Sequence, residues 1–493
     1  MALQLKFVRL PDSSDWKRFE RYSRRVRRLR VMQELPKHTL HQSVFDDVAR
    51  TRTSLNILPN MSTLEWDESL PLCVMFMHDN VRRFVVHLPD ELSRHSLHPF
   101  FQDVVSRMPN IAHLDLRMNI SMNSIENDVL NLFHGLTKLQ RIVLPRFHFT
   151  TRVAEVLSRL DDLGVVEFQY SDHQGCGDPA DTQIFSPSLM EGAFPSLWDL
   201  SLSVRFEDAV HFLDDSYAPT NITVLYIDSM VSESPSVIHC FLSVVADNCQ
   251  LLKSLSLISL IEASTALAKP SEDQINFETL RPLLNCANLT AFELMHQYPL
   301  DLRLEDINEL ASKWASLETL ILNNEPALLD HSPLTLKALL PFARHCPNLR
   351  KLGLFLHAST ADLPSSYQSD LPPSYECKPF KKLKTLSMGV SIILEEGPVA
   401  LFLSQICPLG CKLESGVTWG ETTAVDSEVA RKIKGRYKKW EKVDELLPLL
   451  TKLRMEERER TRALQSEVED LRMRTGLLMD KAALNLEGPC VML

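Results

Sequence analysis

Glycine is scarce, at 14 of 493 residues, against about 7% in ordinary globular chains. That scarcity argues against a glycine-dependent nucleotide fold or a turn-rich β-sandwich, and neither a G-x-x-x-x-G-K-[ST] nor a G-x-G-x-x-G run occurs. Long apolar stretches are missing as well. Nowhere do about 18 apolar residues follow one another without charge, and the stretch from Met1 to Phe19 is too broken for a secretory core. The ten cysteines include no C-x-x-C pair, which leaves neither a disulfide framework nor a zinc knuckle. The chain therefore reads as intracellular, in cytoplasm or nucleus, with reduced thiols.

Signs of catalysis are equally sparse. His87, His98, His113, His148 and His173 are scattered, no H-E-x-x-H occurs, and no G-x-S-x-G elbow is present. Cys407 and Cys411 stand four apart with Pro408 and Gly410 between them, which favours a structural pair over a redox site. The sequence nominates no catalytic, cofactor or metal residue, and the expectation is a protein that is not an enzyme.

What the chain does contain is repetition. The phrase L-x-x-L-x-L, with other apolar residues standing in, appears at Ile111-Ala-His-Leu114-Asp-Leu116, Leu197-Trp-Asp-Leu200-Ser-Leu202, Leu317-Glu-Thr-Leu320-Ile-Leu322 and Leu349-Arg-Lys-Leu352-Gly-Leu354. Further copies begin at Leu139, Leu163, Ile222, Leu252, Leu289 and Leu383, with degenerate ones at Val26, Met61 and Val81. Between Ile111 and Leu383 the mean period is about 30 residues, the upper range of a leucine-rich repeat. Three residues before each anchor sits another apolar residue, among them Leu58, Met108, Leu136, Leu160, Phe194, Cys249, Cys286, Trp314, Cys346 and Phe380. Three cysteines are thereby explained as core. Pro109, Pro195 and Pro347 follow such positions, where proline stops a helix and favours extension.

Between the anchors lie helical patterns such as Val237 to Ala246, Leu304 to Trp314 and Leu334 to Ala343, with apolar residues three and four apart. Each unit is thus a helix, a loop and a strand. The predicted fold is α/β: a leucine-rich-repeat solenoid, horseshoe-shaped, with a parallel concave sheet and outer helices. Its boundaries are read as 1–425 for about 13 irregular repeats, 426–480 for a charged helical tail and 481–493 for a flexible C-terminus. The asparagine usual to such repeats appears as Asn119 but gives way to Phe147, Arg205, Met230 and Leu260, which predicts irregular turns. Ser171 to Ala180 and Ala358 to Tyr375 read as mobile loops, the second with candidate phosphorylation sites at Ser365, Ser366 and Ser374.

The ends differ from the middle. Lys17 to Arg30 holds eight basic residues and one acidic, yet Trp16, Phe19, Tyr22, Val26 and Leu29 are spaced like the buried stripe of a first repeat. In an acidic chain of net charge −11, with 53 Lys+Arg against 64 Asp+Glu, that stretch favours a solvated arginine face over nucleic-acid binding. In the tail, Trp440, Val443, Leu447, Leu450 and Leu453 share one side, followed by Leu464, Val468 and Leu471. The first half is expected to cover the end of the repeat stack and the second to project, with a short coiled coil as one outcome. Cys490-Val-Met-Leu493 matches the C-a-a-X prenylation signal, making Cys490 a candidate lipidation site. A single lipid supports only weak, reversible membrane association.

The binding surface is expected on the strand residues between buried anchors: His113, Asp115 and Arg117; Glu167 and Gln169; Asp199 and Ser201; Tyr226 and Asp228; Glu293; Ile321 and Asn323; Gly353 and Phe355. Their chemistry varies while the anchors stay apolar, as a partner surface on a constant frame requires. Tyr226 and Phe355 lead as exposed aromatics.

The succession Asp15-Trp-Lys-Arg-Phe-Glu-Arg-Tyr22, Val26-Arg-Arg-Leu29, Cys346-Pro-Asn-Leu-Arg-Lys-Leu352, Gly416-Val-Thr-Trp419 and Glu445-Leu-Leu-Pro-Leu-Leu450, closing in a charged tail, resembles the fungal F-box leucine-rich-repeat proteins. The resemblance covers the repeats and the tail. It implies a non-enzymatic substrate receptor of a cullin–RING ubiquitin ligase, whose F-box docks on the ligase adaptor while the repeats select substrate. At the F-box itself the chain departs from the family, because Leu10-Pro-Asp-Ser is not followed by the apolar helix that motif requires. The alternative is a prenylated, membrane-associated repeat scaffold without a ligase link.

Overall fold

Each leucine phrase becomes a strand, and the strands stack in chain order. The computed structural model describes residues 3–31, 38–90, 97–169, 173–260, 274–329, 332–359, 378–418 and 428–486, which fall into two units, Met1–Leu300 and Asp301–Leu493.

In the first unit ten parallel strands lie side by side: Arg28–Val31, Thr63–Trp66, Arg83–His87, His113–Arg117, Arg141–Val143, Val165–Glu167, Asp199–Leu202, Val224–Ser229, Ser254–Ser259 and Ala291–His296. The fourth residue of the phrase forms an in-register ladder through Leu29, Leu64, Phe84, Leu114, Ile142, Val166, Leu200, Leu225, Leu255 and Phe292. From Leu64 onward every member is essentially inaccessible to solvent. Parallel pairing leaves this face covered by helices on the crossover side, including His98–Arg107, Met122–Gly135, Phe206–Leu213 and Pro235–Asn248. Adjacent helices approach closely at Gly135, where any Cβ would lie 2.5 Å from Val105 Cγ1.

The residue three before each anchor has one recurring job. Its carbonyl accepts the anchor's N–H, as in Ile111 to Met108, Leu197 to Phe194, Leu252 to Cys249 and Leu289 to Cys286. This turn converts the end of a helix into the start of a strand, and its buried side chain pins the change of direction. The degenerate copies at Val26, Met61 and Val81 build the strands Arg28–Val31, Thr63–Trp66 and Arg83–His87 in the same way.

In the second unit the strands Thr319–Leu322, Lys351–Leu354, Thr385–Gly389 and Lys412–Ser415 pair in parallel, with the ladder Leu320, Leu352, Leu386 and Leu413. Helices Leu304–Lys313, Leu339–His345 and Glu396–Ile406 lie between them in sequence, and a helix of 59 residues, Glu428–Leu486, closes the chain. Both units thus have the parallel-strand and helix alternation of an α/β leucine-rich-repeat solenoid.

The closing helix is docked along its first half. Trp440, Val443 and Leu447 are buried, and the Trp440 indole N–H donates to Ser391 O at 2.9 Å. Arg436 donates to the carbonyls of Val390 and Leu329, both at 2.8 Å, and Arg454 Nε donates to Ser404 Oγ at 2.7 Å. Asp444 accepts the N–H of Leu413 on the outer edge of the last strand at 3.0 Å. Pro448 sits inside the helix, which continues through it. From Met455 to Met479 the side chains are exposed.

Two expectations need correction. Phe19 and Tyr22 do not join a buried stripe: Trp16 alone of the three is buried, and Tyr22 is 64% exposed. The reason is that helix Ser13–Ser23 precedes the first strand of the sheet and has only one repeat to pack against. The described part of the loop at Ser171 to Ala180 is fastened rather than loose. Gln174 is fully buried and its Nε2 donates to Leu116 O at 2.8 Å, Cys176 N–H donates to Asn119 Oδ1 at 3.1 Å, and Gly177 N–H donates to Arg146 O at 2.9 Å. Asp181 then accepts Ser121 Oγ and the N–H of Met122, capping helix Met122–Gly135 from outside it. The segment satisfies polar groups at the strand ends, which its Gly and Asp content disguises. Residues 170–172, most of the Ala358 to Tyr375 loop with Ser365, Ser366 and Ser374, and Cys490 lie outside the described residues.

Candidate functional site

The alternate residues of the first unit's strands converge on a patch at its middle rungs. Register pairs Ser201 with Tyr226, and the pairing of Val166 with Leu200 sets Glu167 beside Ser201. Glu167 forms an ion pair with Arg141 and accepts Gln169 Nε2 at 3.1 Å. Asp199 occupies the neighbouring row, half-buried, and its carboxylate has no hydrogen bond or salt bridge among the described residues. Burial, and then the negative charge of Glu167, push its pKa up to about 6 against the opposing pull of Arg141. Tyr226 packs edge to face on Phe168 with ring centres 5.2 Å apart. Trp198, before Asp199 in sequence, is 45% exposed and its indole lies over Gly164, where a Cβ would meet Nε1 at 2.9 Å.

The other expected residues distribute unevenly. His113 stays largely exposed, and the part of its ring that is shielded from water, then the positive charges of Arg141 and Arg83, lower its pKa. Asp115 is buried under a bidentate contact from Arg117, with Gln174 Nε2 at 3.3 Å as a further donor. Asp228 is buried in an ion pair with Arg146, whose guanidinium also stacks 4.9 Å from the Phe147 ring centre. Glu293 is half-buried and accepts Ser256 Oγ at 3.5 Å.

In the second unit Ile321 pairs with Gly353 in register, and any Cβ on that glycine would meet Ile321 Cδ1 at 2.6 Å. Asn323 is fully buried with φ of 45°. Phe355 is buried too, packed with Leu329 and Val390 against Val417 and Ile433. Its place as an exposed aromatic is therefore overturned: the end of its strand turns under the docked helix.

The structure thus brings together Glu167, Gln169, Asp199, Ser201 and Tyr226. Sequence reasoning missed Arg141 and Phe168, which complete that patch.

The arrangement presents charge, hydroxyl and aromatic edge on a rigid floor, which suits contact with another protein's side chains. Buried thiols elsewhere are poor nucleophiles: burial raises Cys249 and Cys346 to about 12 and Cys286 to about 11. His296 is buried as a brace, its Nε2 on Glu233 O at 3.0 Å while Tyr298 N–H donates to Nδ1 at 3.2 Å. Among the described residues no group of three His, Cys, Asp or Glu is placed to hold a metal ion, and no helix is long and apolar enough to cross a membrane.

The sequence matches no protein-family model and none of the curated proteins. Among solved structures, the chain is similar to the leucine-rich repeat-containing protein LegL7 from Legionella pneumophila, with 14% identity, 65% of this chain and 90% of that chain covered, and a TM-score of 0.34. The yeast Rad7 and Elc1 complex is similar at 13% identity, covering 68% of this chain and 76% of that chain, again with a TM-score of 0.34.

Proposed function

We propose that the chain is a non-enzymatic scaffold that recognises a protein partner through the patch of Glu167, Asp199, Ser201, Tyr226 and the adjoining Phe168. One observation carries the reading: an invariantly apolar ladder lies directly beneath neighbouring strand positions whose chemistry changes at every rung. A rigid frame with a variable, half-exposed surface lowers the entropic cost of binding. The uncompensated Asp199 carboxylate and the Phe168–Tyr226 pair favour a partner that offers a cationic side chain with apolar flanks.

At finer grain, the resemblance to fungal F-box repeat proteins supports the role of substrate-binding part in a cullin–RING ubiquitin ligase receptor. Affinity capture of tagged chain from its own cells tests both levels. Recovery of a cullin and its adaptor supports the ligase role. A protein partner lost at least tenfold with Tyr226→Ala or Asp199→Lys, at unchanged thermal stability, supports the surface. A partner indifferent to both substitutions overturns it.

A second reading rests on Cys490-Val-Met-Leu493: a prenylated, membrane-associated scaffold. Membrane partition abolished by Cys490→Ser is its expected result, and partition unaffected by that change sinks it.

A further inference from the structure

We infer that the projecting half of the closing helix pairs with the same segment of a second copy of this chain, as a parallel, in-register, two-stranded coiled coil. The inference is independent of the recognition patch.

The first ground is exposure. Leu464, Val468, Leu471 and Leu478 are 61%, 47%, 54% and 67% exposed. They recur at intervals of four, three and seven along one helix, so they share one side of it. Isolated surface leucines are commonplace, but a continuous seam is not.

The second ground is the chemistry of the seam. With Leu464, Leu471 and Leu478 at the d positions, the a positions are Thr461, Val468 and Thr475. All three d residues are leucine and the central a residue is valine, which favours two parallel strands, and the flanking a threonines are β-branched as well. The threonines are prepared for such a seam. Thr461 Oγ1 donates to Glu457 O and Thr475 Oγ1 to Leu471 O, both at 2.8 Å, so each hydroxyl is satisfied within its own helix. Their methyl groups are then free for apolar contact, much as a valine's would be.

The third ground is charge. Glu467 occupies a g position and Arg472 the following e position. In a parallel in-register pair, Glu467 of each copy faces Arg472 of the other, which gives two attractive contacts. Within each helix Asp470, at a c position, is already paired at 2.8 Å with Arg474 at the following g position.

A seam this short is weak when the helix must also be formed from coil. Here that cost is met beforehand, because the docked segment holding Arg436, Trp440, Val443, Leu447 and Arg454 nucleates the helix from which the seam extends. Pairing then orders side chains only.

Sedimentation of the full chain from micromolar to hundreds of micromolar tests the inference. The expected result is a concentration-dependent shift from single to double mass, lost with Leu471→Glu and reduced with Arg472→Glu. The double exchange Glu467→Arg with Arg472→Glu restores it. Since these side chains are exposed, an unchanged circular-dichroism spectrum confirms that the variants fold. Orientation is read by Leu464→Cys in a background with Cys176, Cys240, Cys377 and Cys490 changed to serine, under oxidised glutathione. Parallel pairing gives a covalent dimer. Antiparallel pairing would set Leu464 opposite Thr475 and give none. A single mass at every concentration overturns the pairing. A double mass insensitive to Leu471→Glu, or one without the Leu464→Cys product, overturns the proposed geometry.

Discussion

Glu325 accepts both the backbone N–H and the hydroxyl of Thr418, at 2.6 and 2.8 Å. The two residues stand 93 positions apart, and their contact ties the end of an early rung of the second unit to the segment that leads out of its last strand. Asn324 extends the network by donating to Ser387 Oγ at 2.9 Å, and Gly389 allows the approach, since a Cβ there would lie 2.0 Å from Asn324 O. The carboxylate is buried, and burial raises its pKa against the lowering effect of these donors.

Thr418→Val keeps the backbone donor and removes the hydroxyl. A lost hydrogen bond to a buried charged acceptor costs about 1–3 kcal/mol. Amide exchange should rise in residues 428–447 while the strands Thr319–Leu322 and Lys351–Leu354 stay protected. Uniform loosening of the whole unit would contradict the local role assigned to this joint.

Trp440→Ala removes the largest buried side chain of the closing helix, at a cost of about 3–5 kcal/mol. Protease sensitivity should appear within Glu428–Leu486 before anywhere else in the second unit. Resistance equal to that of the unsubstituted chain would show that the helix is held by its other contacts.

Leu200→Ala interrupts the buried ladder at a central rung of the first unit. A fully buried leucine replaced by alanine typically costs about 2–5 kcal/mol. The midpoint of urea unfolding should fall accordingly, and a shift below about 0.5 kcal/mol, the range of surface substitutions, would mean that the rung is not part of the core.

Asp199 makes a prediction with a definite sign. A carboxyl raised to about 6 in the folded chain keeps its proton at pH values where the unfolded chain has lost it. Its contribution to stability is therefore present on the acid side and is lost as pH rises through about 6. Asp199→Asn should lack that decline, so its melting temperature relative to the parent should increase between pH 3.8 and about 6, the ordinary and the raised carboxyl values. A constant difference across that window would place the titration elsewhere. A cationic partner should bind more tightly as pH rises over the same range, because the carboxylate it needs is then formed.

Gly175 has φ of +83°, and a Cβ there would lie 2.0 Å from Met118 O. Gly175→Ala should cost more than about 1 kcal/mol and release the segment that holds Gln174. Limited proteolysis between residues 173 and 185 measures the release, and an uncut chain would rule it out.

The repeat frame was legible because burial imposes it: Leu114, Leu200, Leu320 and Leu352 must align for the rungs to stack, so their spacing is written into the chain. Depth was not legible. Period identifies the face on which Asp228, Asn323 and Phe355 begin, but each lies where a strand end turns inward beneath a loop or helix, and that turn depends on distant segments. The strand Lys412–Ser415 escaped detection for a related reason. Its outer side faces a helix rather than another repeat, so only Leu413 among its four residues keeps the apolar phrase. The segment holding Gln174 misled through composition, since glycine and aspartate mark both loose loops and tightly hydrogen-bonded ones. Within the proposed recognition patch, the varied strand positions were visible, whereas Arg141 and Phe168 enter through pairings that only the register reveals.

The bond from Leu413 N–H to Asp444 bears on how the sheet edge is kept from pairing with another chain. Successive rungs of a parallel sheet are interchangeable, and an open final one offers amides to any extended chain that drifts past. By occupying that amide with a side chain anchored on a helix, the protein blocks lateral growth at this end. A version ending at Ser415 would keep its repeats yet present a sticky margin, and its fate would be fibrous or amorphous self-addition rather than simple loss of a tail.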